Sequence, residues 1–358
     1  MLALACTAAP ALAQTTGGAA NAELGASYSS LRGPLAFVGL NADNLMGSGL
    51  DIALGYQAGE SGEALDARLR KTFPLGDTAF GTDTRLAVSV DAFRADWDYQ
   101  DYATDHIGAD ISLAAATPTG LRYATRLFWQ QDSLSDFSDT ISPLVKPLDA
   151  STAIGVGASL GYSTFTGTGP LETGFDIGAT VTLATPAGDR EWLATELTAQ
   201  YNTPLTRGAI LAVSGEAGQI SARGDSTVGI IDRAFLGNPS PRGFSYAGLG
   251  PRDLTDTVDT ALGGNRYVVS SVEVRVPTPN PDLTVAAFAD AGALWDLDTT
   301  TGGAAGEIDD SYDLRTSVGL SVYWDSSFGL VQLNIAKPVD TVAGDQEEQV
   351  SLNLNFRF

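Results

Sequence analysis

The chain has 358 residues, a formal net charge of -23 and a pI near 4.1, which excludes a nucleic-acid partner because phosphate binding needs a basic surface. Mean hydropathy is +0.03 and no run of about eighteen apolar residues occurs, so a membrane-spanning helix is excluded while a membrane barrel stays open. After residue 21 no stretch rich in Pro, Gly, Ser and charge is long enough to separate domains, and one continuous architecture is expected.

Residues 1–13 are apolar and small, and end in Ala11-Leu12-Ala13 before Gln14, which fits the apolar region and A-x-A site of a secretory signal cleaved after Ala13. No Lys or Arg precedes Arg32, so the usual positive leader start is missing and an upstream start is expected. Cys6, the one cysteine, lies in this leader, and a lipoprotein box would need a larger aliphatic residue where Ala3 stands. The mature chain is then expected to hold no disulfide, no thiolate metal site and no cofactor. Residues 14–21 are a short periplasmic segment.

From residue 22 onward side chains alternate with period two, the repeat that sends neighbours to opposite faces of a strand. In the first strand Ala22, Leu24, Ala26 and Tyr28 oppose Glu23, Gly25, Ser27 and Ser29. In the third, Leu50, Ile52, Leu54 and Tyr56 oppose Asp51, Ala53, Gly55 and Gln57. Val318, Leu320, Val322 and Trp324 oppose Ser317, Gly319, Ser321 and Tyr323 further on, and the last strand sets Val350, Leu352, Leu354, Phe356 and Phe358 against Ser351, Asn353, Asn355 and Arg357. The pattern predicts sixteen strands, at 22–30, 33–45, 48–58, 63–73, 82–98, 105–117, 120–133, 150–165, 171–184, 190–202, 207–221, 266–278, 282–295, 313–325, 328–337 and 347–358. Many reach the nine to eleven residues, roughly, that a tilted transmembrane strand needs, and an apolar face repeated in so many long strands argues against a soluble sandwich. The fold class is all-β, a 16-stranded antiparallel transmembrane barrel over 22–358 in the bacterial outer membrane.

Connections after even-numbered strands are tight and often carry proline, as at Phe73-Pro74, Pro118, Pro170, Pro204 and Pro277-Thr278-Pro279, whereas 134–149, 222–265, 296–312 and 338–346 are long. Short periplasmic turns and long outer loops place both termini in the periplasm, with the first strand closing on the last. Acids gather in the expected outer loops, at Asp96, Asp98, Asp101 and Asp105, at Asp132, Asp136 and Asp139, and at Asp296, Asp298, Glu307, Asp309 and Asp310. Their repulsion keeps the loops solvated beside lipopolysaccharide, and no dedicated metal site is expected. The single histidine, His106, sits beside Asp105 at the start of the sixth strand as a loop-edge bystander; spacing does not select Asp83 or Asp101 as its catalytic partner, and an enzyme is not expected.

The segment 222–265 is too long for a connector. It is rich in Gly, Pro and aromatics, with Phe235-Leu236-Gly237-Asn238, Pro241-Arg242-Gly243-Phe244 and Gly248 through Asp253, which suggests a long sixth loop folded back into the lumen. Arg242 would need partners there, and two inward-facing acids offer themselves: Glu273, in one row with Tyr267, Ser271 and Arg275, and Asp290, two residues beyond Phe288.

On these residues the chain resembles the BamA-type outer-membrane assembly factors of the bacterial surface antigen superfamily. Arg242-Gly243-Phe244 matches the family's loop motif, and Gly248–Asp253, Leu262-Gly263-Gly264-Asn265, Ser271-Val272-Glu273 and Phe288-Ala289-Asp290-Ala291-Gly292 match around it. The resemblance implies a lock in which Arg242 pairs with Glu273 and Asp290. Pro241 replaces the family's usual small aliphatic residue. Members also carry periplasmic POTRA domains, whereas only residues 14–21 separate the expected cleavage site from the first strand here, which leaves room for a separate periplasmic partner.

Relatives insert other outer-membrane proteins through a seam between first and last strands. Here that seam pairs Leu24, Ala26 and Tyr28 with Leu354, Phe356 and Phe358, one side built of small groups and the other strongly apolar. The expected function is assistance in inserting or translocating outer-membrane proteins, with unfolded barrel proteins, lipids and lipopolysaccharide as partners. The rival is a passive pore or structural barrel that keeps the lock without insertase activity.

Overall fold

Alternating side chains leave every second residue free to face lipid, but the backbone between them must still find hydrogen bonds where no water is available, and closure is the arrangement that leaves no edge. The computed structural model describes residues 19–357 apart from 30–32, 79–80, 168, 207 and 327–328; the expected leader and Phe358 lie outside the described residues. It shows a closed antiparallel barrel of sixteen strands in chain order. They are β1 (Ala19–Ser29), β2 (Gly33–Asp43), β3 (Leu50–Gly59), β4 (Gly62–Thr78), β5 (Gly81–Trp97), β6 (Tyr102–Ala116), β7 (Leu121–Ser135) and β8 (Leu148–Ser163). The second half comprises β9 (Gly174–Thr185), β10 (Trp192–Pro204), β11 (Ile210–Ala222), β12 (Arg266–Pro277), β13 (Leu283–Trp295), β14 (Arg315–Ser326), β15 (Gly329–Asp340) and β16 (Val350–Arg357).

The apolar face points out. Leu54, Leu69, Ile111, Leu127, Leu197 and Leu320 are exposed large hydrophobics, while Ser321, Asn334 and Glu273 on the opposite faces are buried. Phe73, Phe175, Tyr201 and Trp324 are exposed toward the periplasmic ends of their strands, and Tyr28 and Tyr56 toward the outer ends, as expected for aromatic belts at the two interfaces.

Three expectations change. The first strand begins at Ala19 rather than residue 22. Pro74 lies within β4, which runs on to Thr78, instead of forming the turn; the β4–β5 register shifts between Pro74 and Gly76, a bulge that tolerates a residue without an N–H donor. The outer connections 60–61 and 98–101 are as short as periplasmic turns, and the periplasmic connection 164–173 is longer than the outer 186–191, so length alternates only from β9 onward.

Above the long side of the barrel the outer loops share a small apolar core. Tyr102 and Leu134 from β6 and β7 pack with Val145, with Ile230, Ile231 and Leu262 of the sixth loop (223–265), and with Leu297 and Ile308 of the seventh (296–314). Asp253, fully buried in the sixth loop, accepts from the Ala304 and Ala305 amides at 2.7 and 2.8 Å and from the Ser142 hydroxyl. One carboxylate thus satisfies backbone donors that a buried loop would otherwise strand.

Candidate functional site

Three neighbouring strands turn a polar wall toward Arg242. On β12 the inward positions include Ser271, Glu273 and Arg275, and on β13 Phe288 and Asp290. On β14 they include Ser317, Gly319, Ser321 and Tyr323. The register sets Ser271 opposite Asp290 and Asp290 opposite Ser317, so one row crosses all three strands.

The Arg242 guanidinium uses this wall fully. Nε and Nη2 donate to the two Asp290 oxygens, both at 2.8 Å, and Nη1 donates to Glu273 Oε2 at 2.6 Å. Nη1 also reaches Ser321 Oγ at 3.1 Å, Nη2 reaches Ser271 Oγ at 3.0 Å, and the Arg242 amide donates to Asp290 Oδ2 at 3.0 Å. Arg242 is 8% exposed and its two acids 3% each, so the fork works where water competes little. Burial alone lowers the Arg242 pKa, but the hydrogen bonds and charges of Asp290 and then Glu273 outweigh it and hold it above the ordinary arginine value.

Packing fixes the same geometry from the apolar side. The Arg242 Cζ lies 3.4 Å from the Phe288 ring centroid, a cation–π contact on a ring that spreads across β14 because residue 319 is glycine. A Cβ at Gly319 would stand 2.4 Å from Phe288 Cζ. Pro241, the departure from the family's motif, fits against Gly292 of β13, where a Cβ would lie 2.9 Å from Pro241 Cγ. Gly243 has φ +94°, a region that L side chains disfavour, and a Cβ there would stand 3.1 Å from Ser317 Cβ and 3.4 Å from Ala336 Cβ. Phe244 is 0% exposed, among Leu236, Leu249, Tyr267, Val269 and Leu294. Gly243–Phe244 also pair with Glu347–Glu348 of the eighth loop (341–349), which ties the two loops together.

The two acids are held differently. Glu273 also accepts from Arg275 Nε at 2.5 Å and from the Tyr323 hydroxyl at 3.0 and 3.2 Å. Asp290 has Arg242 as its only cation among the described residues, with Ser271 Oγ donating at 2.7 Å. Arg242, Gly243, Phe244, Glu273 and Asp290, expected from the sequence, meet in one place. Ser317, Ser321 and Tyr323 join them as unexpected partners, although their inward face is visible in the alternation of β14.

At the seam the backbone register sets Leu24 opposite Phe356, Ala26 opposite Leu354 and Tyr28 opposite Leu352, while Phe358 lies outside the described residues. Among the described residues, pairing of β1 with β16 runs from Glu23↔Arg357 to Ser29↔Ser351, and β15 meets β16 from Val331↔Leu354 to Ile335↔Val350. Elsewhere it is longer, as from Trp192↔Ala222 to Pro204↔Ile210.

Two expectations about acids and histidine are corrected. Asp132 belongs to no solvated loop; it faces inward on β7 and is buried. His106 is likewise buried inside, because β6 begins at Tyr102 and alternation then turns residue 106 inward.

Residues 44–358 match the Omp85 superfamily domain. The outer membrane protein assembly factor BamA of Neorickettsia risticii is 33% identical over 171 residues, covering 47% of this chain and 22% of that protein. BamA of Neisseria meningitidis serogroup B is 23% identical over 375 residues, covering 94% of this chain and 46% of that protein, so the chain spans about half the length of this curated relative. The crystal structure of BamA from Haemophilus ducreyi lacking POTRA domains 1–3 superposes with a TM-score of 0.76 at 20% identity, over 96% of this chain and 71% of that one.

Proposed function

This chain belongs to the Omp85 superfamily and is an outer-membrane β-barrel, and on that premise we propose that it assists the insertion or translocation of outer-membrane proteins. The observation that carries the reading is the barrel's mechanical asymmetry. Arg242 staples β12, β13 and β14 to the sixth loop, whereas β1 and β16 meet over a short run. A ladder breaks most cheaply where it has fewest hydrogen bonds, and β16 meets both β1 and β15 over short runs, so strain from an incoming strand loosens β16, opens its seam with β1 and spares the stapled wall. The exposed main-chain groups of β1 then template an unfolded partner strand, the same edge chemistry that makes open sheets aggregate. In this reading Arg242, Gly243, Phe244, Glu273 and Asp290 keep the wall rigid, and the β1–β16 run that holds Leu24, Ala26, Tyr28, Leu354 and Phe356 forms the opening. The partners are unfolded barrel proteins, lipid and lipopolysaccharide, with a periplasmic protein able to deliver the substrate.

A second reading, a conducting pore that keeps the lock, is favoured by the water-exposed Asp66 and Arg68 on the inner face of β4. Purified protein in liposomes separates the two. Faster folding of an urea-denatured barrel substrate than in empty liposomes supports insertion, and a disulfide across β1 and β16 should abolish the gain. Ion conductance with no acceleration selects the pore.

A further inference from the structure

The chain's one histidine stands across the barrel from Arg242, about seven strands away on a ring of sixteen. His106 is 9% exposed; Nδ1 lies 2.5 Å from Asp132 Oδ1 on β7 and Nε2 3.2 Å from Asp91 Oδ2 on β5. Carboxylates only accept, so both bonds form together when the ring carries both protons. Phe93 stacks on the imidazole at 4.9 Å, and Gly108 makes room, since a Cβ there would meet Nε2 at 2.9 Å.

The network continues to the sixth loop. The second Asp132 oxygen accepts from Gln130 Nε2 at 3.2 Å and from Arg190, in the connection 186–191. Arg190 Nη1 donates in turn to Asp232 Oδ1 at 2.6 Å, and Asp232, 3% exposed, ends the short 3-10 turn Ile230–Asp232 of the sixth loop. Asp91, His106, Asp132, Arg190 and Asp232 therefore alternate in sign from the wall to the loop. Arg68 of β4 stands opposite Asp91 in register, Arg126 of β7 also acts on Asp91, Asp110 lies on β6 itself, and Arg233 and Asp298 lie beyond Asp232. Burial pushes the Asp232 carboxyl up, with Arg190 pulling it down, so the loop's ionised end depends on that one guanidinium.

We propose that this chain of charges is a second, proton-operated anchor of the sixth loop, closing the lumen to ions while His106 is doubly protonated and releasing the loop's first limb when the ring loses a proton. With the imidazolium present, His106 and Arg190 both serve Asp132, while Arg68 and Arg126 also act on Asp91. After deprotonation Arg190 alone serves the buried Asp132 and Asp232, and its bond to Asp232 weakens. The anchor is thus present at low pH and lost as pH rises through the ring's deprotonation. This inference rests on the fold and does not require insertase activity.

The test is the current through planar bilayers holding the full chain, as pH is raised from about 6 to about 10, a range that spans deprotonation of an interior histidine. Losing one charge-assisted bond should raise the current roughly tenfold. His106→Gln should pass the high-pH current at every pH, and Asp232→Asn likewise. Should either variant fail to fold, hydrogen exchange of the wild-type amides of residues 229–233, corrected for intrinsic base catalysis, gives the same answer. Their protection should fall about tenfold across that range while the amides of residues 243–248 keep theirs. A wild type flat in both current and exchange, or His106→Gln with the wild-type pH profile, overturns the proposal.

Discussion

Replacing Arg242 by alanine removes five side-chain hydrogen-bond contacts and leaves two buried carboxylates, but their losses are unequal. Among the described residues Glu273 keeps Arg275 and the Tyr323 hydroxyl, whereas Asp290 keeps Ser271 Oγ and the residue 242 amide alone. Breaking a buried pair from one side costs about 3–5 kcal/mol, mostly from the charge left behind. Most of that should trace to Asp290, so Arg242→Ala with Asp290→Asn should recover more stability than Arg242→Ala with Glu273→Gln. The readout is hydrogen exchange at the amides that depend on the lock. Asn238 donates to the Phe244 carbonyl at 2.7 Å, Ser245 to Gln346 at 2.9 Å, and Gln346 to Gly248 at 2.7 Å. In Arg242→Ala these should exchange on the order of 10² to 10⁴-fold faster, the rate equivalent of that local cost. Exchange within about twofold of wild type at all three amides, with the barrel folded, would refute the staple. So would equal recovery by the two double variants.

Gly243→Ala should also loosen the loop, since φ +94° suits glycine and the new Cβ would meet Ser317 Cβ at 3.1 Å; a cost of about 1–3 kcal/mol is expected, read as faster exchange at Ser245. Gly292→Val should displace Pro241 and with it the Arg242 fork, giving protease cleavage in the sixth loop at concentrations that spare wild type. Arg94→Ala is the contrasting case. Arg94 bridges Asp105 and Asp136 at 2.8 and 2.6 Å but stands in solvent, so the loss should stay within about 0–1 kcal/mol and heat-modifiability should not change.

How much of this was legible in the chain depends on the distance over which each feature is encoded. A strand's two faces are written in neighbouring residues, so Ser317, Gly319, Ser321 and Tyr323 could be placed on one polar face from their spacing alone. Strand ends were less secure: Pro74 marks a turn by propensity, yet tertiary pairing carries β4 past it through a bulge. The Arg242 motif was visible because three unusual residues stand together in a loop too long to be a connector.

By itself the sequence determined an outward apolar face, the strand number and the identity of one arginine in need of acids, because all three follow from local period and composition. Only the tertiary structure decided which charges meet. Arg242 reaches Glu273 and Asp290 across 31 and 48 residues, and the path from Asp91 to Asp232 links five separate segments. Ion pairs depend on distance in space, and barrel closure together with the path of the sixth loop sets that distance. For the same reason His106 passes for a bystander in the chain and stands among buried carboxylates in the fold.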